Sequence, residues 1–337
     1  MPSIRLSHSS ALARFWRGGL FASTLLNAMS ILPAAAAPTA ARAEAGQPVL
    51  SNTVTIDGLE IFYRESGPKD APVLLLLHGF PSSSHMYRDL IPTLSAKYRV
   101  IAPDYPGFGY SAAPALGTGV FPYTFAAVAD LIDKFTVAVG AQSYVLFVQD
   151  YGGPVGIRLA VKHPDRLRGL IIQNAVANAE GWNPDVVAQL APFWKSRSAE
   201  TEKPIRDLLT PDGVKFEYTH GTTRPERLSP DAWTSDLAGL DRPGNVDIQL
   251  QYFTDYQNNV ASYPAWGAFL KAAQPPVLIV WGKNDPYFTM KGVEYFKSIL
   301  PKAEVHLYDA GHFALETYGE EIAATTLDFL GRLPEAR

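Results

Sequence analysis

Apolar and polar positions form two alternating patterns from about residue 53 to the end of the chain. Short, continuously apolar runs are typical of parallel strands buried on both faces, and they alternate with stretches of helical periodicity. The predicted strands are Thr53–Ile56, Ile61–Arg64, Val73–Leu77, Arg99–Ala102, Tyr144–Val148, Leu167–Ile172, Val277–Trp281 and Glu304–Tyr308. Asp57-Gly58 predicts a hairpin turn between the first two of them. Predicted helices include Phe125–Val139 and Glu316–Leu330. This alternation predicts an α/β fold with a mostly parallel central sheet flanked by helices.

One long segment interrupts the alternation. Between Ile172 and Val277 the chain is rich in Trp, Tyr, Phe and Pro and has no apolar run typical of a buried strand. About a hundred residues are too many for a simple crossover connection, so we expect an inserted helical domain, a cap. The predicted organisation is a core of residues 44–176 and 271–337 with a cap of residues 177–270.

Residues 1–43 have the composition of a secretory signal peptide. Three arginines precede an apolar stretch at residues 19–32, and Ala41-Arg42-Ala43 matches the small-residue pattern of a cleavage site before Glu44. The apolar stretch is too short and too polar for a membrane anchor. We therefore expect an exported protein, periplasmic or secreted, without stable membrane insertion once the leader is removed. A disordered leader or a misassigned start codon is the alternative.

The net charge argues against one class of partner, and the cysteine content excludes two kinds of site. The formal net charge is −4, and no cluster of Lys and Arg offsets it, which argues against a nucleic-acid partner. The chain has no cysteine, which excludes a disulfide framework and a thiolate metal site. Neither property indicates an oligomeric state.

The clearest chemical signal follows the predicted strand Tyr144–Val148. Gln149 and Asp150 lie at the turn, Gly152 and Gly153 follow, and a helix is predicted to begin at once. Serine hydrolases of the α/β class carry G-x-S-x-G at such a strand–turn–helix elbow. Here Asp150 takes the central position, and the chain contains no G-x-S-x-G. A nucleophilic aspartate is the functional interpretation, and an Asp that only caps the following helix is the alternative.

Partners for Asp150 follow two later strands. Asp285 lies in WGKNDP at residues 281–286, and His312 lies in GHFALE at residues 311–316. Nucleophile, acid and histidine then follow one another in the order of an α/β-hydrolase triad, each at the carboxyl end of a strand. In HGFP at residues 78–81, Phe80 is placed to present its N–H beside that of Tyr151, and two such donors form an oxyanion hole.

As a set, five motifs resemble the epoxide hydrolase and haloalkane dehalogenase branch of the α/β-hydrolase superfamily over roughly residues 50–332. They are HGFP at 78–81, APDYPGFGYS at 102–111, QDYGG at 149–153, WGKNDP at 281–286 and GHFALE at 311–316. The resemblance implies an α/β-hydrolase fold and an alkyl ester formed on Asp150. Water activated by His312, with Asp285 as its partner, would hydrolyse that ester without a metal or an organic cofactor.

The leaving group separates the two activities of this branch. The resemblance implies that cap tyrosines protonate an epoxide oxygen, whereas Trp or Asn N–H groups hold a halide. Tyr252 and Tyr256 lie four residues apart in a predicted helix. Tyr263 or Tyr218 is the candidate for a second proton donor, and Trp182 for a pocket wall or a halide donor. Packing of the cap against the core is the alternative for each tyrosine.

The motifs depart from both patterns. Tyr151 stands where family dehalogenases usually have Trp, and Phe80 where some have Asn, but Gln149 is the dehalogenase-like residue before the nucleophile. We expect an enzyme that hydrolyses small organic epoxides, with a small molecule as its partner. Haloalkane dehalogenation is the first alternative, and a non-catalytic binding protein of the same fold is the second. An esterase or lactonase is disfavoured because no serine occupies the elbow.

Overall fold

Eight strands form one sheet with the order β1-β2-β4-β3-β5-β6-β7-β8 in the computed structural model, which describes residues 47–334. The strands are β1 Leu50–Ile56, β2 Leu59–Ser66, β3 Val73–Leu77, β4 Arg99–Pro103, β5 Tyr144–Gln149, β6 Leu167–Gln173, β7 Val277–Gly282 and β8 Glu304–Tyr308. All eight predicted strands are present, with ends that differ by a few residues. The predicted leader, residues 1–43, lies outside the described part of the chain and stays a prediction.

The sheet is antiparallel at one edge and parallel elsewhere. β1 and β2 form a hairpin whose turn residues, Asp57 and Gly58, both have positive φ, as a tight hairpin turn requires. β2 pairs antiparallel with β4, and the remaining neighbours pair in parallel. The carboxyl ends of β3, β5, β6, β7 and β8 therefore converge at one edge of the sheet, which is where ligands bind in open α/β sheets.

Helices cover the sheet and fill the long insertion. They are α1 Leu90–Leu94, α2 Phe125–Ala138, α3 Gly152–Lys162, α4 Pro184–Lys195, α5 Ala199–Leu208, α6 Pro211–Thr219, α7 Pro230–Leu240, α8 Asn245–Ala273, α9 Met290–Ile299 and α10 Ala314–Gly331. The three helices predicted in the core, α2, α3 and α10, are present. The predicted fold class, an α/β fold with a mostly parallel sheet flanked by helices, is confirmed. No helix within residues 47–334 is long and apolar enough to cross a membrane.

The segment between β6 and β7 consists of helices α4 to α8. Three of its prolines start helices: Pro184, Pro211 and Pro230 each occupy a first helical position, where no backbone N–H is needed. The residue before each proline, Asn183, Thr210 or Ser229, accepts a backbone hydrogen bond as an N-cap. The predicted cap boundaries stay predictions, and α8 continues to Ala273.

Buried polar contacts hold α8 against the core. Asp255 accepts a hydrogen bond of 2.8 Å from the backbone N–H of Phe125, at the start of α2. Asn259 accepts one of 2.7 Å from Arg158 on α3. Leaving such groups without partners in a buried interface costs about 1–3 kcal/mol each. These bonds therefore fix the direction in which α8 crosses the carboxyl edge of the sheet.

The apolar core sits on both faces of the central strands, and Leu75 in β3 is fully buried. Leu75→Ala is expected to lower the free energy of unfolding by about 2–5 kcal/mol, because a cavity remains where the side chain was removed. Val137→Ala on α2, where the side chain is 47% exposed, is the control and is expected to change it by less than about 0.5 kcal/mol. Urea titration of both variants measures the difference. Equal effects would contradict the placement of Leu75 in the core.

Candidate active site

A sharp turn between β5 and α3 presents the side chain of Asp150. Its φ is +47°, a left-handed conformation that is uncommon for a residue other than glycine. Neighbouring backbones come close to this turn. A Cβ on Gly152 would lie 2.0 Å from the carbonyl oxygen of Leu77, and one on Gly79 would lie 2.4 Å from Cβ of Asp150. Glycine is therefore required at both positions, and the turn is the elbow that the sequence predicts.

Asp150 is buried, with one carboxylate oxygen engaged. The N–H of Phe80 donates to Oδ1 over 2.8 Å, and the peptide bond between Phe80 and Pro81 is cis. Burial raises the pKa of Asp150 to about 6, while His312 and the backbone N–H groups of Phe80 and Tyr151 act against that rise. No side chain caps the start of α3, so the alternative that Asp150 serves as a helix cap is wrong.

His312 follows β8 and faces both predicted partners. Its Nδ1 lies 2.8 Å from Oδ2 of Asp285, and its Nε2 lies 4.0 Å from Oδ2 of Asp150. Burial lowers the pKa of His312, but the charges of Asp285 and Asp150 and the hydrogen bond to Asp285 outweigh it, so the net shift is upward. The structure therefore brings the three predicted triad residues together at the carboxyl edge of the sheet.

Asp285 is oriented by hydrogen bonds on both oxygens. Backbone N–H groups of Tyr287 and Phe288 donate to Oδ1 over 2.8 and 3.1 Å, and the Asn174 amide donates to Oδ2 over 2.7 Å. Asn174 also exchanges two hydrogen bonds with the backbone of Gly282. Sequence reasoning missed Asn174. The available signal was its place directly after β6, at the edge where the triad residues emerge.

Gln149 contacts the same histidine from the other side. Its Nε2 lies 2.9 Å from Nε2 of His312. With Nδ1–H donating to Asp285, Nε2 of the neutral ring is an acceptor, so the Gln149 amide donates to it. Oε1 of Gln149 has no hydrogen-bond partner among the described residues.

A cavity lies over Asp150, between the sheet edge and the cap. Its lining is mostly apolar or aromatic and comprises Phe80, Asp150, Tyr151, Trp182, Val186, Gln189, Leu190, Ile205, Leu208, Glu217, Phe253, Tyr256, Tyr287, Phe288 and His312. The volume open to the centres of water-sized molecules is about 40 Å³. One buried water needs roughly 10–15 Å³, so the cavity has room for more than one. Gln189 and Leu208 also border a depression on the cap surface, so we infer that the cavity opens between α4 and α5. The space suits a small, largely apolar molecule.

The four cap residues predicted to contact substrate occupy different positions. Tyr256 lines the cavity, and its hydroxyl lies within hydrogen-bonding reach of Tyr263. Trp182 also lines the cavity, but its Nε1–H donates to the hydroxyl of Tyr263 over 3.0 Å. Tyr263 therefore lies behind Trp182. The expectation for Tyr252 is wrong, because its hydroxyl donates to the carbonyl of Pro106 over 2.9 Å and its side chain does not line the cavity.

Two further features concern residues outside the triad. His78 is fully buried, accepts a hydrogen bond from the N–H of Tyr105 and stacks on that ring. Burial lowers the pKa of His78 to about 3, so it is neutral and structural. Tyr218 donates to Asp236, away from the cavity. Within residues 47–334 no group of three or more His, Asp or Glu side chains is arranged to hold a metal ion.

Comparison with known proteins gives the family. Residues 72–317 match the family profile described as alpha/beta hydrolase fold. An uncharacterized hydrolase of Saccharomyces cerevisiae is 39% identical over 270 residues, 79% of this chain and 92% of that protein. A haloalkane dehalogenase of Mycobacterium marinum is 30% identical over 279 residues, 79% of this chain and 86% of that protein. The crystal structure of a haloalkane dehalogenase from Bradyrhizobium elkani superposes with a TM-score of 0.69 at 22% identity, covering 84% of this chain and 98% of the other. This likeness shows the fold.

The raised pKa of His312 depends on Asp285. Asp285→Asn is expected to lower the pKa of His312, because burial then acts without the opposing charge and hydrogen bond of that carboxylate. An NMR titration of the His312 ring measures the shift. Asp309→Asn, which removes an exposed acid three residues before His312, is the matched control and should leave the pKa unchanged. A pKa that stays raised in Asp285→Asn would show that another group causes the shift.

Proposed function

The chain belongs to the alpha/beta hydrolase fold family, in the branch of the dehalogenases and epoxide hydrolases, and on this basis we propose that it hydrolyses small organic epoxides through an ester on Asp150. It is an enzyme of the hydrolase class, so the alternative of a non-catalytic binding protein is set aside. Epoxide hydrolysis needs a carboxylate nucleophile, a proton donor for the ring oxygen and a base for the second step. Groups of each kind line one cavity.

Tyr256 is the observation that carries this proposal. Its side chain is buried and lines the cavity that contains Asp150, and its hydroxyl lies within hydrogen-bonding reach of Tyr263. An epoxide oxygen leaves as an alkoxide, so it needs a proton as the C–O bond breaks. Burial raises the pKa of Tyr256 well above its ordinary value, so the hydroxyl remains protonated at neutral pH. It is therefore available as the acid.

The first step is attack by Asp150 on a ring carbon. Oδ1 is held by the N–H of Phe80, which leaves Oδ2 as the attacking atom. Above pH about 6 the carboxyl group is ionised, and it needs no base to act as a nucleophile. The new Asp150–carbon ester bond forms while the ring C–O bond breaks, and the released oxygen takes the proton of Tyr256. Solvent then returns a proton to the phenolate.

The second step is hydrolysis of the ester. His312 accepts a proton from water at Nε2, and the water oxygen attacks the carbonyl carbon of Asp150. The N–H groups of Phe80 and Tyr151 stabilise the oxyanion on that carbon. The ester bond then breaks and the diol alkoxide takes the proton from His312. The carboxyl group of Asp150 releases its proton to solvent, which balances the proton that solvent gave to Tyr256, and the carboxylate is restored. The charge of Asp285 stabilises the imidazolium that forms in between.

Haloalkane dehalogenation is the second candidate, because relatives of this chain bear that name. It would use the same ester and the same second step, but a departing halide needs N–H donors. Trp182 is the indole in the cavity wall, and its N–H already donates to Tyr263. The hydroxyl of Tyr256, a proton donor in the cavity lining, and the engaged N–H of Trp182 both favour the epoxide.

Intact-mass measurement on His312→Gln distinguishes the candidates. Without its base the enzyme is expected to accumulate the ester on Asp150, because the first step does not use His312. With 1,2-epoxybutane the protein should gain the mass of the whole epoxide, and with 1-bromobutane a gain of the butyl group alone would indicate dehalogenation. Asp150→Ala in the same background is the control and should gain neither. An adduct with 1-bromobutane and none with 1,2-epoxybutane would overturn the epoxide proposal in favour of dehalogenation.

Tyr256→Phe tests the proton donor. The variant is expected to form the ester from 1,2-epoxybutane about 10²- to 10⁴-fold more slowly, the usual contribution of a general acid. Rapid quenching followed by mass measurement gives the rate. Tyr252→Phe is the matched control on the same helix, since that hydroxyl donates to Pro106 outside the cavity. Equal rates in the Tyr256→Phe variant and the unchanged protein would remove Tyr256 from the mechanism.

A further inference from the structure

One acidic group in the cavity has no part in the two steps above. Glu217 on α6 lines the same cavity as Asp150 and Tyr256, and it is only 2% exposed. Neither Lys nor Arg occurs among the described residues that line the cavity. A buried carboxyl group without a cationic partner is costly. We therefore expect the carboxyl group of Glu217 to bind a polar group inside the cavity.

The helix that carries Glu217 is fixed to the catalytic loops. The ring of Tyr218, the next residue, stacks on Phe313 with centroids 4.0 Å apart. Just after α6, the carbonyl of Gly221 accepts a 2.8 Å hydrogen bond from Asn284, which precedes Asp285. These contacts join α6 to the β7–α9 loop with Asp285 and to the β8–α10 loop with His312. Glu217 thus has a defined position relative to the triad.

The surroundings of Glu217 favour its neutral form. Burial raises its pKa well above the ordinary value, and the charges of Asp150, Asp236 and Asp285 raise it further, while a hydrogen bond with Tyr287 acts in the opposite direction. A protonated carboxyl group has one O–H donor and keeps acceptor capacity on its oxygens. It therefore forms paired hydrogen bonds with a hydroxyl group.

We propose that Glu217 is a specificity residue that hydrogen-bonds a hydroxyl group of the substrate, so that the preferred substrates are small, uncharged epoxides with a hydroxyl beside the ring. This inference rests on the proposed function for the reacting ring. No Lys or Arg in the cavity lining can pair with a carboxylate, so epoxides and halides with an acid group are poor substrates. A site built around a buried polar group discriminates strongly against an analogue that leaves it without a partner.

Two isosteric epoxides test the inference. Glycidol and 1,2-epoxybutane differ by a hydroxyl in place of a methyl group. In Glu217→Leu the ratio of kcat/KM for glycidol to that for 1,2-epoxybutane is expected to fall about tenfold or more, the effect of one buried hydrogen bond. Glu217→Gln keeps a donor and an acceptor and should retain most of the preference. Glu217→Met, an unbranched apolar substitution, is made in parallel as a second variant should Glu217→Leu fail to fold.

Asp212→Asn is the matched control, because it removes a carboxyl group from the exposed face of the same helix. It should leave the ratio unchanged. A ratio in Glu217→Leu and Glu217→Met equal to that of the unchanged protein would overturn the inference, as would the same loss in Glu217→Gln. A purely structural role would lower both values of kcat/KM together.

Binding of unreactive analogues separates this inference from the proposed function. Cyclopropylmethanol and ethylcyclopropane replace the ring oxygen of the two epoxides by a methylene group, and ligand-observed NMR measures their affinities. If the unchanged protein hydrolyses neither epoxide, the proposed function fails, and these affinities still decide the role of Glu217. Selective loss of cyclopropylmethanol binding in Glu217→Leu supports it, and equal affinities in variant and unchanged protein overturn it.

Discussion

The site depends on one steric constraint, the close approach of the ends of β3 and β5 around Asp150. These two strands are neighbours in the sheet, and only glycine at positions 79 and 152 leaves room for the turn. The same approach brings the N–H of Phe80 to Oδ1 of Asp150. It thus fixes which carboxylate oxygen is engaged and which is left to react. The strained φ of +47° at Asp150 is tolerated because packed elements hold the turn from both sides.

Three acids near this turn differ in how well their negative charge is stabilised, because their hydrogen-bond and charge partners differ. Asp285 accepts hydrogen bonds from two backbone N–H groups, an amide and His312, so its charge is well compensated. Asp150 has backbone donors on one oxygen, and burial raises its pKa only to about 6. Glu217 lines the cavity, whose lining has no Lys or Arg, and burial raises its pKa well above the ordinary value. In the proposed reaction these environments assign the roles: Asp285 orients His312, Asp150 is the nucleophile, and Glu217, whose neutral form is favoured, contacts the substrate.

Sequence patterns predict the sheet and the position of the triad, because the carboxyl ends of parallel strands necessarily meet at one edge. They do not predict which cap side chains reach that edge. Tyr252 and Tyr256 share one face of α8, yet the hydroxyl of Tyr252 contacts Pro106 and the side chain of Tyr256 lines the cavity. That difference depends on how α8 crosses the sheet, which Asp255 and Asn259 fix through contacts distant in sequence. Glu217 had a local signal, since it lies three residues after Val214 on the buried face of α6.

Gln149 shows why a motif next to the nucleophile indicates the chemistry without indicating the substrate. Its amide faces Nε2 of His312, and its Oε1 lacks a partner among the described residues. The N–H end of an amide pairs with a neutral imidazole, and after rotation its oxygen pairs with the N–H of an imidazolium. Gln149 therefore suits both protonation states of the base in ester hydrolysis. That second step is the same whether the ester came from an epoxide or a haloalkane, so selection between the two classes falls to the leaving-group side of the cavity, where Tyr256 lies.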